Sequence, residues 1–151
     1  MNILFLCHGS ICRSPSAEFI FKKMIKDNNL QDYYSCCSRA LSDDALGCDI
    51  YPPTKEALDK YNIPYTKHIA TKCSQEDIDN ADLVLYMDEE NKLLLSRQFA
   101  WQKKFVCLAD YLDTNEVDDP WYTGGHEAIV RQLLQAINNL LIELENKRLK
   151  K

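Results

Sequence analysis

Apolar and polar positions along the chain predict strands and helices in turn. Four short apolar runs predict strands at residues 2–7, 34–38, 83–87 and 105–108. Apolar residues at helical spacing, or a helix-start signal, predict helices at 15–28, 54–61, just after Ser74, 88–98 and 126–146. Strands that alternate with helices form a parallel sheet covered on both faces. The pattern therefore predicts an α/β fold, and the 151 residues fit one domain, 1–151.

Two helix starts carry local signals. Thr54 is a suitable cap for the helix that follows the loop at 41–53. Ser74 and Asp77 form an S-x-x-[DE] capping sequence. A polar loop at 110–125 follows the last strand. Ligands bind beyond the carboxyl ends of parallel strands, so we expect this loop to lie at the rim where a site would form.

The first strand leads directly into a loop with distinctive chemistry. Its sequence is Cys7-His8-Gly9-Ser10-Ile11-Cys12-Arg13-Ser14-Pro15. We expect Gly9 to supply a positive φ in the turn, and Pro15 suits a first helical turn. A tight loop before a helix points backbone N–H groups inward, and Arg13 adds a guanidinium that can bind an oxyanion through two N–H groups. These features predict a pocket for a tetrahedral oxyanion with a thiol at its floor.

A cysteine is nucleophilic only as the thiolate. The inward N–H groups, the helix dipole and Arg13 would all favour that form of Cys7, and Ser14 could donate a further hydrogen bond to it. The alternative is an ordinary strand-to-helix turn with a buried cysteine and a surface arginine. The strand before the loop, the helix after it and the glycine within it favour the anion pocket.

Composition limits the possible partners. The net charge of −5 argues against nucleic acid or an anionic membrane as a general partner, so attraction for an anion must be local to the loop. No segment approaches the roughly 20 apolar residues of a membrane span, and no secretory signal precedes the first strand. Seven cysteines, an odd number, indicate reduced thiols, and we expect a cytoplasmic protein.

Metal and nucleotide sites are disfavoured. The sequence has no C-x-x-C pair, and Arg13 beside Cys7 and Cys12 would repel a cation, so we expect no metal and no cofactor. The four glycines cannot be assembled into either G-x-G-x-x-G or G-x-x-x-x-G-K-[ST].

The loop CHGSICRSP resembles the phosphate-binding loop of the low molecular weight protein tyrosine phosphatases, whose pattern is close to C-x-G-N-x-C-R-S-P. The resemblance continues in the family's order through Ala17-Glu18, Ser42-Asp43, Gly47, His68, Glu76-Asp77, Met87-Asp88-Glu89 and Asp119-Pro120. It implies a four-stranded parallel sheet flanked by helices, with the phosphate-binding loop after the first strand. It also implies metal-independent hydrolysis of phosphotyrosine in proteins and of small aryl phosphates.

The resemblance, together with the needs of the reaction, assigns roles. Cys7 would attack phosphorus in line and form a phosphocysteine intermediate, while Arg13 and the loop amides hold the oxygens. Asp119 matches the family's acid because Pro120 follows it, and Asp118 is the alternative acid. Inorganic phosphate would be product and inhibitor. The loop residues expected to contact substrate are His8, Gly9, Ser10, Ile11 and Cys12.

Residues around the pocket would set specificity. Trp121 and Tyr122 match rim aromatics of the family and could flank a phenyl ring, with core packing as the alternative. Ile11 favours phosphotyrosine, because the related protein-arginine phosphatases have threonine there. Asp44 stands where an aromatic residue is frequent and should disfavour acidic phosphopeptides.

Further residues match supporting positions of the family. Glu18, His68 and Asp88 match a group that braces the loop, with the histidine held by the two carboxylates. Cys12 matches a cysteine that can form a disulfide with the nucleophile and shield it from irreversible oxidation; simple apolar packing is the alternative. Ser10 replaces the family's asparagine, which tolerates left-handed backbone better, so we expect a functional but more mobile loop.

Two other functions remain as alternatives. Arsenate reduction on this scaffold needs two further reactive cysteines, and Cys73 and Cys107 are not paired at a short spacing. A noncatalytic phosphotyrosine-binding module would bind without turnover, but the nucleophile, the arginine and the acid are all present. We expect a monomer, with a weak dimer as the alternative.

Overall fold

The computed structural model describes residues 1–112, 116–119 and 125–150. Within those ranges the strands are β1 Asn2–Cys7, β2 Ser35–Ala40, β3 Leu83–Tyr86 and β4 Phe105–Cys107. All pair in parallel, in the order β2-β1-β3-β4. The predicted four-stranded parallel sheet is confirmed, and β1 lies inside it.

Helices connect and cover the strands. Within the same ranges they are α1 Arg13–Asp27, α2 Pro52–Lys60, α3 Gln75–Asn80, α4 Glu89–Gln98 and α5 His126–Leu149, with a 3₁₀ turn at Leu108–Tyr111. Five consecutive residues of β1, Ile3 to Cys7, are buried. Successive strand side chains point to opposite faces, so both faces of the sheet are covered.

The long helix α5 closes the core against α1 and α2. Its buried residues recur at helical spacing: Ile129, Val130, Leu133, Ala136, Ile137, Leu140, Leu141 and Leu144. Burial of one such large apolar side chain contributes about 1.5–3 kcal/mol, so this stripe fixes the helix on the domain. None of the described helices is both long enough and apolar enough to cross a membrane.

Several element boundaries differ from the sequence prediction by one to three residues, and two of them have a clear local cause. α2 begins at Pro52, not Thr54, because prolines are accepted in a first helical turn, where the missing N–H would have no partner. Thr54 is therefore not a cap; it is buried inside the helix, and its Oγ1 lies 3.0 Å from Nδ1 of His126. β2 runs on to Ala40 because its polar residues pair with β1 along the whole strand.

The predicted capping sequence at Ser74 is confirmed. Ser74 Oγ accepts a hydrogen bond from the Asp77 N–H at 3.1 Å, and Asp77 Oδ2 accepts one from the Ser74 N–H at 3.0 Å. Each side chain satisfies a backbone donor that the first turn of α3 leaves unpaired.

Candidate active site

The sulfur of Cys7 lies at the end of β1, where hydrogen-bond donors converge on it. The backbone N–H groups of Ser10 and Ser14 donate to Sγ at 3.3 and 3.4 Å, and the Ser14 hydroxyl lies 3.3 Å away. Donors that point at a sulfur stabilise its anion. The strand-to-helix turn thus forms the thiol-centred loop that the sequence predicted.

The left-handed residue of this loop is Ser10, with φ of 55°. The expectation that Gly9 would take the positive φ is wrong. The turn that aims the Ser10 N–H at the sulfur needs the left-handed conformation at Ser10 itself. The Ser10 carbonyl accepts a hydrogen bond from His68 Nε2 at 2.7 Å, and its hydroxyl lies 2.9 Å from that of Ser14.

Arg13 is buried, with 2% of its surface exposed, and its guanidinium is held on several sides. Nη1 donates to Asp88 Oδ2 at 2.7 Å and to the carbonyl of Val117 at 2.9 Å, and Nη2 donates to Asp119 Oδ2 at 3.4 Å. Burial lowers the pKa of Arg13, but the negative charges of Cys7, Asp88 and Asp119 outweigh it and raise that pKa. The guanidinium is a fixed cation beside the sulfur.

Residues 116–119 bring a carboxylate to the same place. Val117 is fully buried, and its N–H donates to the Met87 carbonyl at 2.8 Å, just beyond β3. Asp119 is thereby placed on the pocket wall, whereas Asp118 is exposed and does not line the pocket. This placement favours Asp119 over Asp118 as the acid.

The loop, Asp119 and the segment after β2 enclose a pocket of about 230 Å³. Its lining residues are Cys7, His8, Gly9, Ile11, Cys12, Arg13, Asp44, Ala45 and Asp119. The Ser10 side chain is fully buried, and the Ser10 N–H is directed at the sulfur, so the expected contact of Ser10 with substrate stays a prediction for its backbone. Trp121 and Tyr122 lie outside the described residues.

Cys12 lines the pocket but is only 6% exposed. Burial raises the pKa of its thiol to about 11, against the opposing effect of a hydrogen bond with Thr54. Cys12 is therefore a neutral thiol at neutral pH, unlike the form required of a nucleophile.

The three residues predicted to brace the loop, Glu18, His68 and Asp88, have different partners in the structure. His68 supports the Ser10 carbonyl, and Asp88 holds Arg13 while its Oδ1 caps α4 through the Asn91 N–H at 2.7 Å. Glu18 instead accepts a hydrogen bond from Ser38 Oγ at 2.6 Å, because its place on α1 turns it toward β2. The expectation that the two carboxylates hold the His68 ring is wrong.

Three contacts at the site were missed by sequence reasoning. Glu90, in the first turn of α4, lies beside His8, and its position after β3 was a usable signal. The contact of His126 with Thr54 joins the start of α5 to α2. The bond from Arg13 to Val117 uses a carbonyl, so no side-chain type could reveal it.

Metal ligands do not cluster in the described part of the chain. Across residues 1–112, 116–119 and 125–150, no three His, Cys, Asp or Glu side chains are grouped so that they could hold a metal ion. Arg13 supplies positive charge at the pocket.

Comparison with known proteins gives a consistent result. Residues 2–151 match the family model for low molecular weight phosphotyrosine protein phosphatase. The chain is 32% identical to the low molecular weight phosphotyrosine protein phosphatase of Sus scrofa, with 93% of each chain covered. It is also 29% identical to the low molecular weight protein-tyrosine-phosphatase YfkJ of Bacillus subtilis, with 98% of each covered.

Solved structures agree with these sequence matches. The crystal structure of YfkJ from Bacillus subtilis superposes with a TM-score of 0.92, at 29% identity over 97% of this chain and 96% of that one. A protein tyrosine phosphatase from Entamoeba histolytica, with Hepes in its active site, gives a TM-score of 0.90 at 29% identity, over 98% of this chain and 99% of that one.

Proposed function

The chain belongs to the low molecular weight phosphotyrosine protein phosphatase family, and we propose that it hydrolyses phosphotyrosine in proteins, and small aryl phosphates, through a phosphocysteine intermediate. One observation carries the proposal: at the floor of a pocket walled by Arg13 and Asp119, two backbone N–H groups point at Cys7 Sγ. The same donors suit a thiolate and the oxygens of a phosphoryl group.

In the first step Cys7 Sγ attacks phosphorus. The S–P bond forms as the bond from phosphorus to the phenolic oxygen breaks, and Asp119 gives its proton to that oxygen. Arg13 and the loop amides stabilise the charge on the three remaining phosphoryl oxygens. A positioned general acid contributes about 10²–10⁴-fold to such a step.

In the second step the ionised Asp119 takes a proton from water as the water oxygen attacks phosphorus. The S–P bond breaks, and Cys7 leaves as a thiolate that the Ser14 N–H and hydroxyl stabilise. Inorganic phosphate is released, and it also inhibits because it occupies the same donors. No metal ion or cofactor enters either step.

The pocket supports a flat aromatic substrate. Ile11 contributes an apolar surface to the wall, and His8, Gly9 and Cys12 complete the loop side. A phenyl ring against Ile11 would make contacts that need no hydrogen bond. Trp121 and Tyr122 remain predicted rim residues.

Net charge and cysteine content bear on where the protein acts and on which partners it excludes. We infer a monomeric enzyme of one domain, residues 1–151, that acts in the cytoplasm without nucleic acid or membrane partners. The net charge of −5 argues against nucleic acid and anionic membranes as partners, and the odd number of cysteines, seven, is typical of reduced thiols.

Cys12 supports a further part of the proposal, reversible protection of the nucleophile. It lines the same pocket as Cys7. Oxidation of Cys7 by peroxide gives a sulfenic acid. The Cys12 thiol then loses its proton as its sulfur attacks the Cys7 sulfur, so that a disulfide forms and the sulfenic hydroxyl leaves with that proton as water. A thiol reductant restores both thiols.

The function is tested by turnover of p-nitrophenyl phosphate in the presence of EDTA. The wild type should be active, Cys7→Ser inactive, and Asp119→Ala slower by about 10²-fold or more. Asp118→Ala is the matched control, because its carboxylate is adjacent in sequence but does not line the pocket. Activity abolished by EDTA, or retained in Cys7→Ser, would remove the mechanism. A large loss in Asp118→Ala alone would reassign the acid.

A further inference from the structure

The imidazole of His8 lies between two carboxylates at the mouth of the pocket. Its Nε2 is 2.5 Å from Asp44 Oδ2, and its Nδ1 is 2.8 Å from Glu90 Oε1. Asp44 belongs to the loop after β2, and Glu90 to the first turn of α4. One ring therefore joins three segments, and both His8 and Asp44 line the pocket.

The backbone of His8 also fixes the segment that carries Asp44. Its carbonyl accepts hydrogen bonds from the N–H groups of Leu41 at 3.2 Å and Ser42 at 2.9 Å. Asp44 itself is largely exposed, so its side-chain position at the mouth depends on the His8 contact. About a third of the His8 side chain is exposed, which leaves the cluster open to an incoming substrate.

The geometry suits a protonated imidazole. Neutral imidazole has one donor and one acceptor, whereas the cation has two donors. Nε2 makes a hydrogen bond with Asp44, and Nδ1 lies 2.8 Å from a Glu90 oxygen that acts on the ring through its charge, so both carboxylates favour the cation. Partial burial lowers the pKa of His8, but the hydrogen bond and charge of Asp44 and the charge of Glu90 raise it above its ordinary 6.5.

The protonation state of His8 therefore sets the charge at the mouth. With the ring protonated, the cluster has one net negative charge; with the ring neutral, it has two. Asp44 faces the ring from the loop after β2 and Glu90 from α4, and Cys7 and Asp119 share the pocket. A unit charge about 7 Å from a substrate side chain changes binding roughly threefold in water, and less in salt.

We propose that His8 is a specificity-determining residue that controls how strongly the pocket mouth selects phosphotyrosine with cationic neighbours over phosphotyrosine with acidic neighbours. The protonated ring neutralises one carboxylate, and the neutral ring leaves both to act on residues beside the phosphotyrosine. This inference rests on the proposed phosphatase function and names the substrate class for the same site.

The test is a ratio of kcat/KM values for two phosphotyrosine peptides that differ only in lysine or glutamate at the flanking positions. Both peptides share the ionisation of Cys7, Asp119 and the phosphate, so the effects of these groups on the chemical step cancel in the ratio, and any effect of their charge on the flanking residues remains in His8→Gln. At low ionic strength the lysine-over-glutamate ratio should rise about fivefold between pH 5.5 and 8.5. In 0.5 M NaCl the rise should largely disappear.

Variants assign the pH response to His8. His8→Gln should show a high ratio that changes little with pH, and Asp44→Asn a lower ratio whose rise occurs at lower pH. Asp43→Asn is the matched control: it is exposed on the same loop and pairs with Lys72 at 2.9 Å, and it should respond like the wild type. By NMR, the His8 ring should titrate above 6.5 in the wild type and lower in Asp44→Asn.

Several outcomes would overturn the inference: a wild-type ratio that is constant with pH, a rise that persists in His8→Gln, or a His8 titration unchanged by Asp44→Asn. Turnover of p-nitrophenyl phosphate by the wild type but not by Cys7→Ser separates these failures from failure of the phosphatase function. If the wild type turns over p-nitrophenyl phosphate but its lysine-over-glutamate ratio is constant with pH, the role of His8 is refuted and the phosphatase function stands.

Discussion

Ser10 occupies a backbone conformation that L-residues seldom adopt. At φ of 55° a non-glycine residue loses about 1–2 kcal/mol. The contacts of Ser10 with His68, Ser14 and the Cys7 sulfur offset that loss. The strain is therefore located where the N–H must face the nucleophile.

Substitutions at Ser10 should separate backbone conformation from hydroxyl chemistry. Ser10→Asn should keep activity and stability close to the wild type, because asparagine accepts left-handed backbone. Ser10→Thr keeps a hydroxyl but adds a β-branch, and it should lose about 1–2 kcal/mol of unfolding free energy and much of its kcat. Urea denaturation and p-nitrophenyl phosphate turnover measure both. A nearly inactive asparagine variant, or a threonine variant as stable as the wild type, would contradict this account.

At the scale of single residues, the sequence identified the part of the site whose residues follow one another along the chain. The run from Cys7 to Ser14 was readable because strand, turn and helix follow one another without a break. The prediction of a positive φ at Gly9 was wrong because a glycine can take a positive φ but need not. The prediction that Glu18 holds His68 was wrong because a carboxylate close to a loop in sequence can turn toward a neighbouring strand, here to Ser38.

Among the elements, the phosphate-binding loop contains two thiols, Cys7 and Cys12, in different surroundings. Donors surround the Cys7 sulfur, whereas Cys12 is buried with its pKa raised to about 11. Because one pocket holds both, the loop can trap its own oxidised nucleophile without a second element.

Peroxide inactivation should therefore be reversible. Wild-type enzyme treated with hydrogen peroxide should regain most of its activity with dithiothreitol, whereas Cys12→Ser should recover several-fold less, because its Cys7 oxidises further to the sulfinic acid. Cys48→Ser removes an exposed thiol and should recover like the wild type. Equal recovery in Cys12→Ser would exclude the protective disulfide.

Element types were predictable, and several boundaries were not. The capping sequence at Ser74 fixed the start of α3, since both partners are side chains written in the sequence. The start of α2 was misplaced because Pro52 and Pro53 suit a loop as well as a first helical turn. Ser38 and Arg39 are polar, so the end of β2 showed no hydrophobic signal and became visible only through pairing with β1.

At the scale of the whole molecule, Glu145 near the end of α5 contacts the segment before β2. Glu145 accepts hydrogen bonds from the Tyr34 hydroxyl at 2.6 Å and from Arg148 at 2.6 and 2.8 Å. The Arg148 hydrogen bonds lower the pKa of Glu145 to about 2, against the effect of burial and with help from Tyr34.

This contact should make stability depend on acid pH. A carboxylate with a lowered folded-state pKa contributes its full stability above the unfolded pKa, about 4.3, and loses it as pH falls through about 2. The wild type should exceed Glu145→Gln in unfolding free energy at pH 6, by an amount that shrinks from pH 5 downward. Urea denaturation at pH 6, 4 and 3 measures this. A pH-independent gap between the wild type and Glu145→Gln would refute the assignment.

The order of the strands has a consequence for partial opening of the fold. The nucleophile follows β1, which has a neighbour on each side, whereas residues 116–119 follow the three-residue edge strand β4. Edges open at a smaller free energy than interior strands. A molecule frayed at that edge would keep its thiol cradle and lose its proposed proton donor, so it would still bind the phosphate group of a substrate but transfer it to Cys7 slowly, because the leaving phenolate would not be protonated.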